Sequence, residues 1–411
     1  MGIGDVLRRR GHRVVFVVEE SFAGTLEALG FEERLMRLAP APAVPEAPGQ
    51  FWKDFIRDTA PAFRGSTLQQ IETFIAPTWR ALADGARYVD ERLAEIFDEL
   101  APDVIAQDNV IAFPAVLASG RPWVRIASCN PLELRDPGLP PTFSGLPTGE
   151  RAAWGEFESE YERSVGDLQR SFSGFCVARG APPLPGIEMI HVSPWLNLYL
   201  CPDELDYRRS RPLSATWHNL QTSVRATDAP WRPPASDERA LVYLSLGSLG
   251  SADVELMREL VAELADTPQR YIVSRGPRHD EYELAENMLG TEFLPQTSVL
   301  PHVDAVITHG GNNTVGECMW FGRPMVVLPV FWDQHDNAQR VAEAAYGLRL
   351  PTYALAPGQL GAAVDAVLTD RTLSERAARA GARLRARPGT TLAANLIERV
   401  AAGGRAQCSP P

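Results

Sequence analysis

Cysteine is scarce and scattered in this chain of 411 residues. Cys129, Cys176, Cys201, Cys318 and Cys408 contain no C-x-x-C pair, so neither a zinc site nor a disulfide framework is indicated. No apolar run approaches the ~18 residues that a transmembrane helix requires. The start, Met1 to Arg10, lacks the apolar stretch of a signal peptide, and a cytoplasmic protein is the expectation. Positive charge is in deficit: 40 Lys and Arg stand against 52 Asp and Glu, with a net charge of -12. That balance argues against a nucleic-acid binder, which needs a basic footprint. Arg8, Arg9 and Arg10 form one compact basic run, best read as a solvated helix face. Internal repeats are lacking too.

What is present is a globular composition, 45% hydrophobic and 22% charged, over a length that suits two domains. The first stretch, Ile3 to Arg10, reads as a helix stopped by Gly11 and followed by a buried strand, Val14 to Val18. Further strands are expected at Val104 to Ala106, Trp123 to Ile126 and Leu196 to Leu200. Helices are expected at Ala112 to Ser119 and across 150–178. The Pro-rich loops 40–48 and 131–148 have the character of cleft-lining segments.

A second run of strands and helices begins after Thr227 to Asp237, a segment with three prolines that reads as a linker. Strands are expected at Leu241 to Leu246, Tyr271 to Val273, Ala305 to Thr308 and Met325 to Leu328. Helices are expected at Val254 to Leu264, Thr314 to Trp320, Asn337 to Ala345 and Leu360 to Leu368. This alternation predicts an α/β protein with two Rossmann-like, doubly wound parallel-sheet domains facing a cleft. The division is 1–226 for the first domain, 227–237 for the linker, 238–395 for the second domain and 396–411 for a tail.

The segment from Phe293 to Gln334 carries the chemistry. A buried strand ends at Thr308 and is followed by His309-Gly310-Gly311-Asn312-Asn313-Thr314, where a helix begins. Glycines admit a ligand close to the backbone, and a helix start offers free N–H groups and a positive dipole end. His309, Asn313 and Thr314 add side-chain donors. This is a cradle for a diphosphate, built without the lysine of a P-loop. Other readings of the same residues are a core aromatic for Phe293 and a capping box Thr314-Val315-Gly316-Glu317 for Glu317. Asp333 read in this way is a helix cap. Asn312-Asn313-Thr314 is formally a glycosylation sequon.

In one register, His309, Gly311, Asn313, Thr314, Glu317, Gly322, Pro324, Pro329, Asp333 and Gln334 resemble the donor signature of the inverting UDP-glycosyltransferase family. That family includes plant, vertebrate glucuronosyl and bacterial macrolide enzymes of GT-B fold. Weaker similarity covers most of the chain, including Val242 to Ser248. The resemblance implies that Phe293 stacks on uracil and that the backbone of Leu294 holds its edge. It places the diphosphate on His309, Gly311, Asn313, Thr314 and Ser248, the ribose on Glu317 and the sugar hydroxyls on Asp333 and Gln334. Gln296 joins the donor set. Glu317 favours UDP, with its two ribose hydroxyls, over dTDP, and Gln334 points to glucose. No metal is expected at the diphosphate, since no Asp-x-Asp occurs. No cofactor is expected either, UDP-sugar being a substrate.

The resemblance also implies a histidine base oriented by an aspartate. Asp108, at the C-terminal end of a predicted strand, is that aspartate, and Asp103 is a turn residue. His12 lies at the wrong end of its strand. The first strand of the fold, and the base that follows it, are expected upstream of Gly2. The resulting expectation is an inverting transferase moving a hexose from UDP-sugar to a hydroxyl of a small apolar acceptor. The alternatives are a nucleotide-sugar-binding protein without turnover, and a GT-B epimerase or lipid-linked cell-wall transferase.

Overall fold

The structure, a computed structural model, describes residues 1–41, 58–226, 228–233 and 238–403. Most of the 40–48 loop, part of the 227–237 linker and the end of the 396–411 tail lie outside the described residues.

Helix α1 (Gly2–Arg9) leads into strand β1 (Val15–Glu19), which pairs in parallel with β2 (Glu32–Met36). A long helix, α2 (Ala76–Leu100), ends at Ala101 in the left-handed region. Strand β3 (Ile105–Asp108) follows, then α3 (Pro114–Ala118), β4 (Trp123–Ala127), α4 (Trp154–Ala178), β5 (Leu196–Tyr199) and β6 (Trp217–Asn219). Strands β3 to β6 form a parallel sheet in chain order, and β1–β2 is a separate two-stranded sheet. The apolar face of α2, including Trp79, Val89, Leu93 and Phe97, packs in one core with Phe157, Tyr161 and Phe172 of α4.

The second half is one six-stranded parallel sheet. Its elements are β7 (Leu241–Ser245), α5 (Val254–Leu264), β8 (Arg270–Ser274), β9 (Met288–Thr291), β10 (Ala305–Thr308), α6 (Asn312–Phe321), β11 (Met325–Val327), α7 (Gln334–Glu343), β12 (Gly347–Arg349), α8 (Gln359–Thr369) and α9 (Arg371–Ala386). All residues of β7, β10 and β11 are buried, as expected for parallel strands covered on both faces. The strand order is β12-β11-β10-β7-β8-β9. The chain therefore winds outward in one direction from β7 and in the other from β10. Between the C-terminal ends of these two strands lies the crevice where α/β sheets bind ligands.

The last helix, α10 (Gly389–Ala401), leaves the second domain. Its Ala393, Leu396, Ile397 and Val400 pack on Val124, Ile126, Leu196 and Leu198 of the first sheet. Gly389 makes the crossing possible: a Cβ there would lie 2.1 Å from the Leu220 oxygen and 2.2 Å from that of Thr222. Among the described residues, no helix is long and apolar enough to cross a membrane.

Candidate donor and acceptor site

The loops at the β7–β10 switch build the donor side. After β10 the chain turns through Gly310, whose φ of +86° suits glycine, and α6 starts at Asn312. His309 is clamped between two glycines. A Cβ on Gly311 would sit 2.6 Å from its Nε2, and one on Gly247 would sit 2.9 Å from its Cε1. Burial pushes the His309 pKa down to about 4, so the ring is neutral near pH 7. A neutral imidazole keeps one N–H to donate. Ser248, in the helical turn Gly247–Gly250, is exposed and follows Gly247 in the chain. Asn313 is exposed and Thr314 is buried in the first turn of α6.

Glu317, one turn further along α6, is 4% exposed. Gln296 Nε2 donates to its Oε2 at 2.5 Å and to Thr314 Oγ1 at 3.2 Å. Arg225, just before the linker, reaches Glu317 Oε1 at 3.4 Å and pairs with Asp228 at 2.7 Å. Burial raises the Glu317 pKa, with Arg225 opposing it. Phe293 is 56% exposed on the segment between β9 and Gln296, with its ring available for stacking. Leu294 beside it is half-buried. One segment thus carries Phe293, Leu294 and Gln296, and Gln296 is the one bonded to Thr314 and Glu317.

Asp333 and Gln334 lie at the start of α7, 7% and 5% exposed. Asp333 Oδ2 accepts the backbone N–H of Asn130 at 2.8 Å, across the cleft. Burial raises its pKa to about 6. Gln334 Oε1 accepts the N–H groups of Val330 and Phe331 at 3.0 and 3.2 Å, which shapes the turn entering α7. Asn337, one turn on, donates to Gly310 O at 2.8 Å and Asp333 Oδ2 at 3.3 Å, and accepts from Asn130 Nδ2 at 2.8 Å. It ties the turn after β10, the start of α7 and the first domain together. Its helical spacing from Asp333 puts both on one face.

On the first-domain side, Asp108 ends β3 and accepts from Ser128 Oγ at 2.8 Å. Part of its surface is open, yet protein atoms crowd it and push its pKa up. Ser128 O in turn accepts from Asn312 Nδ2 at 3.0 Å. Asp108 is therefore linked through one residue to the start of the donor helix. His12 lies on the outer surface, 2.9 Å from Glu398. Among the described residues, no group of three or more His, Cys, Asp or Glu side chains could hold a metal ion.

Two parallel-sheet domains, with a glycine turn and a helix start at the switch point of the second, give the architecture of the GT-B fold. Comparison with known proteins agrees. Residues 230–393 match the family described as UDP-glucoronosyl and UDP-glucosyl transferase. Demethyllactenocin mycarosyltransferase of Streptomyces fradiae is 24% identical over 97% of this chain and 82% of its own length. Zeaxanthin glucosyltransferase of Pantoea ananas is 25% identical, covering 76% of this chain and 75% of its own. The solved glycotransferase of kitacinnamycin superposes with a TM-score of 0.69 at 23% identity, over 97% of this chain and 94% of that one. Residues 230–393 thus match the UDP-glycosyltransferase family, and the transferases to which the chain is similar mark it as a glycosyltransferase.

Proposed function

We propose that the enzyme transfers a hexose, with glucose favoured, from a UDP-sugar to a hydroxyl of a small apolar acceptor, inverting the anomeric centre. The carrying observation is the buried Glu317 on the same helix whose first turn forms the diphosphate cradle. A carboxylate one turn from the phosphates faces the place of a ribose and gains most from two adjacent hydroxyls. Uracil stacks on Phe293, with its edge on the Leu294 backbone. His309, Asn313, Thr314 and Ser248 hold the diphosphate, and Gln296 sets the Glu317 carboxylate.

In the reaction, the acceptor oxygen forms a bond to the anomeric carbon as the bond to the diphosphate oxygen breaks. The acceptor proton passes to a base and UDP leaves. Asp108 acts as the carboxylate that orients this base. Charge that develops on the leaving diphosphate is met by the α6 N-terminus and the His309 N–H. Asp333 and Gln334 face the sugar hydroxyls. Calorimetry with UDP, followed by a UDP-release assay with UDP-glucose and a panel of phenolic and macrolide acceptors, tests the reading. Absence of UDP binding overturns it.

A further inference from the structure

The connection between the two sheets, after β6 and before β7, touches the donor side through one side chain. Arg225 sends Nη1 to Glu317 Oε1 at 3.4 Å. The other edge of its guanidinium holds Asp228, Nε to Oδ1 at 2.7 Å and Nη2 to Oδ2 at 3.2 Å. Asp228 Oδ2 accepts in turn from the backbone N–H of Thr297 at 2.9 Å and from the Thr297 hydroxyl at 2.8 Å. Thr297 adjoins Gln296 in the chain, and the Gln296 amide returns to Glu317 Oε2 at 2.5 Å. These contacts close a ring of side chains that runs from Glu317 through Arg225, Asp228 and Thr297 to Gln296 and back.

Within this ring the Glu317 carboxyl is the group whose charge is in the balance. Its side chain is 5% exposed. Burial pushes its pKa up, Arg225 and Gln296 pull it back, and Asp228 pushes it up again. Tyr243 and Cys318 also face it, and burial raises both, so they stay neutral near pH 7. Arg225 supplies the positive charge in this set. The charge state matters to a ligand, because an ionised carboxyl accepts on both oxygens, whereas protonation turns one oxygen into a donor. Two adjacent ribose hydroxyls that donate together gain most from the ionised form.

We propose, on the reading of Glu317 as the ribose carboxylate of a UDP-sugar transferase, that Arg225 is a positioning residue that keeps Glu317 ionised and fixed at Oε1, and so sets the discrimination between ribonucleotide and deoxyribonucleotide donors. The two oxygens of the carboxylate have different holders. Gln296 is neutral and gives Oε2 a hydrogen bond without charge. Arg225 gives Oε1 a charge, and it comes from outside the strand, turn and helix that carry the rest of the donor residues. Asp228 takes the Nε and Nη2 edge of the guanidinium, which leaves Nη1 for Glu317. Nucleotide choice then depends on the connection between the sheets as well as on α6.

The test is calorimetry of the full chain with UDP and with dTDP over a range of pH, the ratio of the two affinities being the readout. Titration of the diphosphate is common to both nucleotides and cancels in that ratio. Protonation of Glu317 removes the preference for UDP, so the ratio should fall as pH drops through the Glu317 pKa. In Arg225→Gln, or in Arg225→Met where the first does not fold, that fall should move to higher pH by about one unit or more, the usual effect of losing a neighbouring opposite charge. Arg225→Lys, which keeps the charge, should follow the parent. In Glu317→Gln the ratio should not vary with pH, and adding Arg225→Gln should leave it as it is. A midpoint unmoved by the neutral substitutions, a parallel loss of both nucleotides at every pH, or an Arg225→Lys profile that follows the neutral variants would each overturn the assignment. If UDP fails to bind the parent, it is the transferase reading that falls, and equal affinities for UDP and dTDP in the parent at every pH remove Glu317 from the ribose. A parent preference for UDP that Arg225 does not shift leaves both readings standing and removes the role of Arg225 alone.

Discussion

Asn312, the first residue of the donor helix, donates through Nδ2 to the backbone oxygen of Ser128 at 3.0 Å, and the hydroxyl of Ser128 holds Asp108. Asn312 Nδ2 also reaches Leu200 O at 2.9 Å. One amide therefore docks the start of α6 on the C-terminal ends of β4 and β5. The start of α6 and the Asp108 carboxylate are set relative to each other by this contact. It is reinforced by Asn130, whose N–H goes to Asp333 and whose amide goes to Asn337.

Glu317 should set nucleotide preference. Calorimetry is expected to show UDP bound more tightly than dTDP, because only UDP presents two ribose hydroxyls. In Glu317→Ala that preference should shrink by about tenfold or more, the scale of a hydrogen bond to a charged group. Equal affinities in the parent protein would remove the ribose argument.

Gly311 should tolerate no side chain. Its φ of -58° is ordinary, so the obstacle is space alone. A methyl group at 2.6 Å from His309 Nε2 must push a ring that Gly247 blocks on its other side. Gly311→Ala is expected to keep the melting temperature within a few degrees and to weaken UDP binding by about tenfold. Unchanged UDP affinity would mean that His309 does not touch the diphosphate.

Asp108→Asn should slow turnover by ~10²- to 10⁴-fold, the usual contribution of general-base chemistry. The UDP dissociation constant should stay put, since Asp108 reaches the donor side only through Ser128. The acidic limb of the pH–rate profile, which reports protonation of the base, should shift to lower pH as well, which loss of packing alone would not produce. A slowed variant with an unshifted profile would make Asp108 a structural residue.

His335 should make the fold sensitive to acid. It is 9% exposed, and burial pushes its pKa from 6.5 down to about 3. Between those values the unfolded chain binds a proton that the folded chain refuses. The stabilising contribution is therefore complete above about pH 6.5 and is lost as pH falls toward 3. A pKa displaced by one pH unit corresponds to about 1.4 kcal/mol. Asp333, raised to about 6, works in the opposite sense, favouring the fold below its unfolded pKa of ~3.9 and losing that as pH rises to 6. Thermal melts from pH 7 to pH 4 should fall less steeply in His335→Gln than in the parent. Parallel profiles would show that His335 does not dominate the acid response.

Much of the second domain was legible because its elements announce themselves locally. Val254–Leu264 and Ala305–Thr308 occur at the expected bounds. The first has an amphipathic period, and the second is a short buried run beside a glycine turn. Helix α7 starts at Gln334 rather than near Asn337. Gln334-His335-Asp336-Asn337 shows no apolar stripe, because polar contacts bury it. Asp336 alone accepts the N–H groups of Phe143 and Gly145, at 2.6 and 2.8 Å. Strands β2, β6 and β12 read Glu-Glu-Arg-Leu-Met, Trp-His-Asn and Gly-Leu-Arg. Such short polar segments become strands only by pairing with a neighbour already in place.

What the sequence determined by itself was the contiguous part of the site. His309 to Glu317 lie within nearest-neighbour and one-turn distances along one strand, turn and helix, so backbone geometry brings them together. The tertiary structure alone decided the partners of that segment. Arg225 on Glu317, Ser128 on Asn312 and Asn130 on Asp333 join positions tens to hundreds of residues apart. The return of α10 to the first sheet is of the same kind. Such pairings depend on how two sheets dock, and no local period or propensity encodes docking. It is set by the summed burial and hydrogen bonding of surfaces that exist only once both domains have folded.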